Sequence, residues 1–141
     1  MYKVLIVDDE QLIRSGMIAR FQYLNFTFER IREAASGMEA LALLEKEPAD
    51  IVITDIKMPD MDGMTLIREA KEKYPGTQFV VLSGYAEFEY AETAIELGVK
   101  SYLLKPISND ELKRVMRKLF ETLEKERQML SLIHISEPTR H

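Results

Sequence analysis

Short apolar or β-branched runs alternate with helix-period segments along this chain, and that alternation limits the fold more than any other feature. The runs at residues 3–7, 28–34, 51–54, 79–82 and 101–104 are each too short for an independent helix and read as strands, the second of them weakly. Between them, apolar residues recur at steps of three and four: Ile13, Met17, Phe21 and Leu24; Leu41 and Leu44; Leu66, Ile67, Ala70 and Tyr74; Phe88, Ala91 and Ile95. A fifth helical pattern runs through Leu112, Val115, Met116, Leu119 and Leu123. Cap and turn residues fall at the seams, with Ser36-Gly37, Pro75-Gly76, Gly98 and Ser108-Asn109-Asp110 in place. Parallel strands need right-handed helical crossovers that cover both faces of the sheet. The expected fold is therefore α/β: a flavodoxin-like doubly wound five-stranded parallel sheet, order 2-1-3-4-5, with five helices, (βα)5.

Size and composition agree with one such core. The chain has 141 residues, 46% hydrophobic and 30% charged, so it can bury a core without being membrane-embedded. Its first apolar stretch after Lys3 is four residues long and ends in two acids, too short for a secretory signal, and a cytoplasmic location without membrane contact is expected. The absence of cysteine excludes a disulfide framework or a thiolate metal site. The net charge of -5 is uneven: 18 acids face 12 bases through Ser108, and 6 face 7 beyond it. An acidic body repels a phosphate backbone, so any contact with DNA would need a further domain.

In a doubly wound sheet the ligand site forms at the carboxyl ends of the strands, near the reversal of strand order. Strands one, three, four and five end in Asp8 and Asp9, Asp55, Ser83 and Lys105. Alone, each has an ordinary reading: Asp8-Asp9-Glu10 could cap the first helix, Asp55 could be a loop acid, and Lys105-Pro106 could merely stop a strand. Together they bring three carboxylates into one crevice, where mutual repulsion favours a divalent cation beside Lys105. Hard oxygen ligands with no His or Cys nearby suit Mg²⁺, with Mn²⁺ as the alternative, better than zinc. A carboxylate beside such a cation can attack a phosphoryl group, with the metal and a lysine neutralising the equatorial oxygens and Ser83 offering a hydroxyl to the third.

Four segments carry a resemblance: Val4-Leu5-Ile6-Val7-Asp8-Asp9-Glu10, the run from Ile53-Thr54-Asp55 through Lys57-Met58-Pro59 to Asp62-Gly63, Val81-Leu82-Ser83-Gly84, and Tyr102-Leu103-Leu104-Lys105-Pro106. In this order, with 46 residues from Asp9 to Asp55, 28 to Ser83 and 22 to Lys105, the chain resembles the chemotaxis-like receiver domains of two-component response regulators over residues 1–123. The resemblance implies that Asp55 accepts a phosphoryl group from a sensor histidine kinase. It implies that Asp9 and Asp55 ligate Mg²⁺, that Lys57 does so through its backbone carbonyl, and that Asp8 helps through water. Lys105 would pair with the phosphoryl group, Ser83 would move to hydrogen-bond it, and Tyr102 would swing inward. The Lys105-Pro106 bond is expected to be cis, and Gly63 to take a positive φ in the turn after Met58-Pro59. Such a protein is a phosphoacceptor switch that catalyses only its own phosphorylation and dephosphorylation.

The fourth helix carries Glu87, Glu89, Glu92 and Glu96, and the fifth carries Lys113, Arg114, Arg117 and Lys118. These are either two solvated faces or complementary faces of a phosphorylation-dependent homodimer. Residues 124–130 continue in good helix formers, with Leu123 and Leu130 a heptad apart, as in a linker helix leading to an effector. Residues 131–141 lose the pattern, include Pro138, and read as a truncation or cloning scar. Residues 84–91 are similar to receivers joined to arabinose-regulator-type (AraC-type) DNA-binding domains, which implies a transcriptional output through a domain missing from this chain. The alternative is a standalone phosphorelay or scaffold receiver. Two other readings fit less well: a flavodoxin-like electron carrier lacks an acidic first loop, and a haloacid-dehalogenase-type phosphatase has a second Asp where Lys57 stands.

Overall fold

The computed structural model of the chain describes residues 1–84, 88–99 and 101–136, and leaves aside the side chains of 88–91 and 133–136. The elements follow in strict alternation: β1 (Lys3–Val7), α1 (Gln11–Tyr23), β2 (Arg30–Ala34), α2 (Gly37–Lys46), β3 (Ile51–Asp55), α3 (Gly63–Lys73), β4 (Gln78–Ser83), α4 (Phe88–Glu96), β5 (Ser101–Leu104) and α5 (Asn109–Ser136). All neighbouring strands pair parallel in the order β2-β1-β3-β4-β5, as the alternation requires.

Successive strand residues point to opposite faces, and this splits the core in two. Val4, Ile6, Ile51, Ile53, Val80, Leu82 and Leu103 pack with Met17 and Phe21 of α1 and Leu112, Val115, Met116 and Leu119 of α5. Leu5, Val7, Val52, Phe79 and Val81 pack on the other face, against Ala40 and Leu44 of α2, Leu66, Ile67 and Ala70 of α3 and Ala94 of α4. Because both faces are buried, the central strands are continuous apolar runs, and a polar residue among them has to mark a strand end.

Some details depart from the sequence pattern. Strand β2 begins at Arg30 rather than Phe28, because Phe28 turns its ring edge-on to Phe21, 5.0 Å between centroids, and joins a cluster with Phe26 and Phe120. Helix α5 continues through Ser136, past the point where its apolar pattern fails. Leu123 is buried in the domain and Leu130 is exposed. Further along α5, Arg127 lies over the Tyr2 ring at 4.3 Å, and the Tyr2 hydroxyl donates to Glu124 at 2.8 Å. This part of α5 is thereby fastened to the residue that precedes β1.

Candidate functional site

Strands β1, β3, β4 and β5 end where the last apolar residue gives way to a polar one, and the register of the sheet sets those ends side by side. Val7 pairs with Thr54, Asp55 with Leu82, and Ser83 with Leu104. The result gathers Asp8, Asp9 and Asp55, each offering a carboxylate oxygen within 4.8 Å of the others. Asp8 is 1% exposed, Asp55 is partly buried and Asp9 is open to solvent. From β5, Lys105 places Nζ 3.5 Å from Asp8 Oδ2 and 3.6 Å from Asp55 Oδ2.

Local hydrogen bonds fix these carboxylates. Asp8 Oδ1 accepts from the Glu10 N–H at 2.9 Å, and Asp55 Oδ1 accepts from the Ile56 N–H, also at 2.9 Å. Asp8 thus spends one oxygen on the entry to α1, while Glu10, the N-cap residue, makes no side-chain cap. Burial pushes the Asp55 carboxyl above the usual carboxylate range; Lys105 works against this, the Asp8 charge adds to it, and the Ile56 amide opposes it. A raised carboxyl in a three-acid crevice with one lysine has a charge conflict that a small hard cation relieves. One Mg²⁺ keeps its oxygen ligands within roughly 4.2 Å of each other, so the cluster needs little adjustment to hold it.

The loop after β3 is anchored in ways that the sequence motifs do not reveal. The Gly63 N–H donates to the Ile56 carbonyl at 2.7 Å, and Asp62 caps α3 by accepting from the Thr65 N–H at 2.8 Å. Gly63 does not adopt the expected positive φ; among the described glycines only Gly98 does. Gly63 is needed for proximity instead: a Cβ there would press on the Asp55 carbonyl oxygen and lie 3.2 Å from Ile56 Cα. Asp60 reaches to α2 and accepts from Met38 N–H at 2.8 Å and Gly37 N–H at 3.2 Å. The Met38 amide, then that of Gly37, holds its carboxyl below the ordinary value. The Met61 side chain lies where a Cβ of Gly37 would go.

The remaining sequence candidates have definite places. Lys57 is exposed just beyond β3, and Ser83 is 5% exposed at the end of β4. Tyr102 is half-buried on β5 against the α2–α4 side of the core, and its hydroxyl is buried without a hydrogen-bond partner among the described residues. The Lys105-Pro106 bond is cis, as expected. On the exposed side of α4 lie Glu92, Ile95 and Glu96, and on α5 Arg114, Arg117 and Lys118. Tyr85, Ala86 and Glu87 lie outside the described residues, and the Glu89 side chain is among those left aside. Among the described residues, no helix is long and apolar enough to cross a membrane.

Comparison with known proteins points the same way as the geometry. The family model described as response regulator receiver domain matches residues 4–117. The chain is 40% identical over 126 residues to the uncharacterized transcriptional regulatory protein YesN of Bacillus subtilis, covering 89% of this chain and 34% of that one. It is 36% identical over 123 residues to the transcriptional regulatory protein HptR of Staphylococcus aureus, covering 87% and 48%. It therefore spans a third to a half of the length of these relatives. Among solved structures, the receiver domain of AraT, a response regulator from Geobacillus stearothermophilus, superposes with a TM-score of 0.81 at 44% identity, covering 89% of this chain and 98% of that one. A two component transcriptional regulator AraC from Clostridium phytofermentans gives 0.82 at 32% identity, covering 90% and 98%.

Proposed function

The chain belongs to the response regulator receiver family, and from that premise we propose that Asp55 is its phosphoacceptor, charged by a sensor histidine kinase in a Mg²⁺-dependent step. The observation that carries this reading is the Lys105 ammonium held between Asp8 and Asp55 beside the three-carboxylate cluster. A bound Mg²⁺, or Mn²⁺, supplies charge neutralisation for the transferring phosphoryl oxygens. Asp9 and Asp55 hold that ion directly, Lys57 through its carbonyl and Asp8 through water. An Asp55 oxygen forms the new P–O bond as the P–N bond of phosphohistidine breaks and the imidazole leaves. Lys105 pairs with the added charge, and Ser83 donates its hydroxyl to a phosphoryl oxygen.

A mainly apolar groove of about 440 Å³ opens beside Lys105, lined by Leu12, Ile13, Gly16, Met17 and Arg20 of α1 and by Pro106 and Ile107. Leu12 is 86% exposed at its rim. An apolar groove next to the acceptor suits the kinase helix that presents the phosphohistidine. Phosphorylation adds charge and acceptors at the strand ends, and Ser83 and Tyr102 convert this into a changed α4-β5-α5 face. That face drives an output, here transcription through a C-terminal DNA-binding domain of the kind carried by AraC-type regulators. The acidic rim of α4 and the basic rim of α5 pair across a two-fold axis in the phosphorylated homodimer. The protein works in the cytoplasm, residues 1–123 form the receiver, 124–130 extend it as a linker, and 131–141 read as a truncation or cloning tail.

Incubation with acetyl phosphate and Mg²⁺, followed by intact mass, tests the centre of this reading. One phosphoryl group is expected on the wild type, none on Asp55→Asn, and none on either after chelation. Equal labelling of the variant would place the acceptor elsewhere. For the dimer, beryllofluoride must raise the sedimentation coefficient in a concentration-dependent way.

A further inference from the structure

Arg14 stands on the first turn of α1 with its side chain 14% exposed. Its Nη1 donates to the main-chain carbonyl of Asp8 at 2.6 Å, and its Nε donates to Oε1 of Glu33 at 3.1 Å. Glu33 lies on β2 opposite Ile6, one residue before Ala34, whose carbonyl accepts the Asp8 N–H at 3.0 Å. Both main-chain polar groups of Asp8 are thus tied to β2, the N–H directly and the carbonyl through an arginine that β2 grips.

The Asp8 carbonyl and the Asp9 nitrogen share one peptide plane, so fixing the carbonyl fixes the direction in which the chain enters Asp9. Asp8 has other anchors for its own carboxylate, in the Glu10 amide and Lys105. Among the described residues no hydrogen bond or ion pair holds the exposed Asp9 carboxylate. Its position depends on the backbone beneath it. Glu33 also offsets the guanidinium charge, so Arg14 orients the loop without adding an unpaired positive charge beside a cation site. A guanidinium has the fork to reach both partners at once, and an ammonium does not.

Resting on the metal reading above, we propose that Arg14 is a positioning residue for the divalent cation: clamped by Glu33, it holds the Asp8-Asp9 peptide plane so that Asp9 faces the ion. Its loss weakens the cation site rather than the phosphoryl chemistry itself.

The test is a Mg²⁺ titration of the unphosphorylated 141-residue chain by calorimetry, repeated with Mn²⁺ by electron paramagnetic resonance, on wild type, Arg14→Met, Arg14→Lys, Glu33→Gln and Asp9→Asn. Arg14→Met is expected to weaken binding about tenfold, the lower end of what outer-shell partners of metal ligands contribute. Arg14→Lys should fall between Arg14→Met and wild type, and Glu33→Gln should shift affinity in the same direction by less than Arg14→Met. Labelling of Arg14→Met by acetyl phosphate should be slow at low Mg²⁺ and recover its maximal rate at saturation. Wild-type affinity in Arg14→Met overturns the proposal; if that variant does not fold, wild-type affinity in both Arg14→Lys and Glu33→Gln does so. If wild type binds no cation, or Asp9→Asn binds as well as wild type, the metal reading itself fails and takes the proposal with it. If Asp9→Asn is weakened while the Arg14 and Glu33 variants are not, the proposal alone fails.

Discussion

Gly63 packs its Cα against the main chain of Asp55 so closely that any β-carbon there would press on the Asp55 carbonyl oxygen. The obstacle is backbone at the end of a central strand, which cannot move aside as a flexible side chain would. Gly63→Ala should therefore destabilise the fold by about 1–3 kcal/mol, the usual cost of forcing extra carbon into a packed site. It should also slow labelling of Asp55, because the Gly63 N–H holds the Ile56 carbonyl next to the acceptor. Gly76, with nothing within 4 Å of its Cβ position, is the control. Gly76→Ala should stay within about 0.5 kcal/mol of wild type in urea unfolding.

Charge at Asp55 opposes folding when no cation is present. Burial, with help from Asp8, raises its carboxyl in the folded chain above the unfolded value, so the folded state binds that proton more tightly. The stability cost is absent below the unfolded pKa, grows as pH rises through the raised folded pKa, and is complete above it. In EDTA at neutral pH, Asp55→Asn should unfold at a higher urea concentration than wild type. The difference should shrink as pH falls into the ordinary carboxylate range. Adding Mg²⁺ should stabilise the wild type, by about 2.7 kcal/mol at a hundredfold excess over its dissociation constant, and the variant by less.

Much of this was legible in the sequence, and the exceptions share a cause. A doubly wound sheet forces polar residues to its strand ends, so Asp8, Asp55, Ser83 and Lys105 stand out wherever a buried apolar run stops. Arg14, Asp60 and Met61 carry no such mark. Their partners lie on other elements, Asp8 and Glu33 for Arg14, Gly37 and Met38 for Asp60. An arginine on the first turn after a strand is an ordinary helix residue until the neighbouring strand is placed beside it. Gly63 was visible as a required glycine, but φ and proximity leave the same mark in a sequence, and only coordinates separate them. Phe28 reads as a strand residue in the sequence because an aromatic packed against the edge of the core and an aromatic in an edge strand have the same local pattern.

The buried Tyr102 hydroxyl makes its own prediction. It finds no hydrogen-bond partner among the described residues, and an unpartnered buried hydroxyl costs about 1–3 kcal/mol. Tyr102→Phe keeps the ring in the α2–α4 side of the core and removes that penalty. The unphosphorylated variant should unfold at least as late as wild type, with a gain of about 1 kcal/mol, and should accept a phosphoryl group from acetyl phosphate at the wild-type rate. A loss of stability would mean that the hydroxyl has a partner in solution.

The groove between α1 and the Pro106-Ile107 segment separates partner recognition from chemistry. Leu12 is 86% exposed, so replacing it with glutamate removes little buried area and should change stability by no more than about 0.5 kcal/mol. If the kinase helix seats here, a charge at position 12 has to be desolvated against apolar surface, and the loss on docking should be about tenfold or more. Acetyl phosphate needs no docking surface and reaches Asp55 directly. Leu12→Glu should therefore keep wild-type labelling by acetyl phosphate while phosphotransfer from the cognate kinase falls steeply at sub-saturating concentration. Equal loss with both donors would show that residue 12 acts on the site itself through α1. Unchanged transfer from the kinase would place its docking surface elsewhere on the domain.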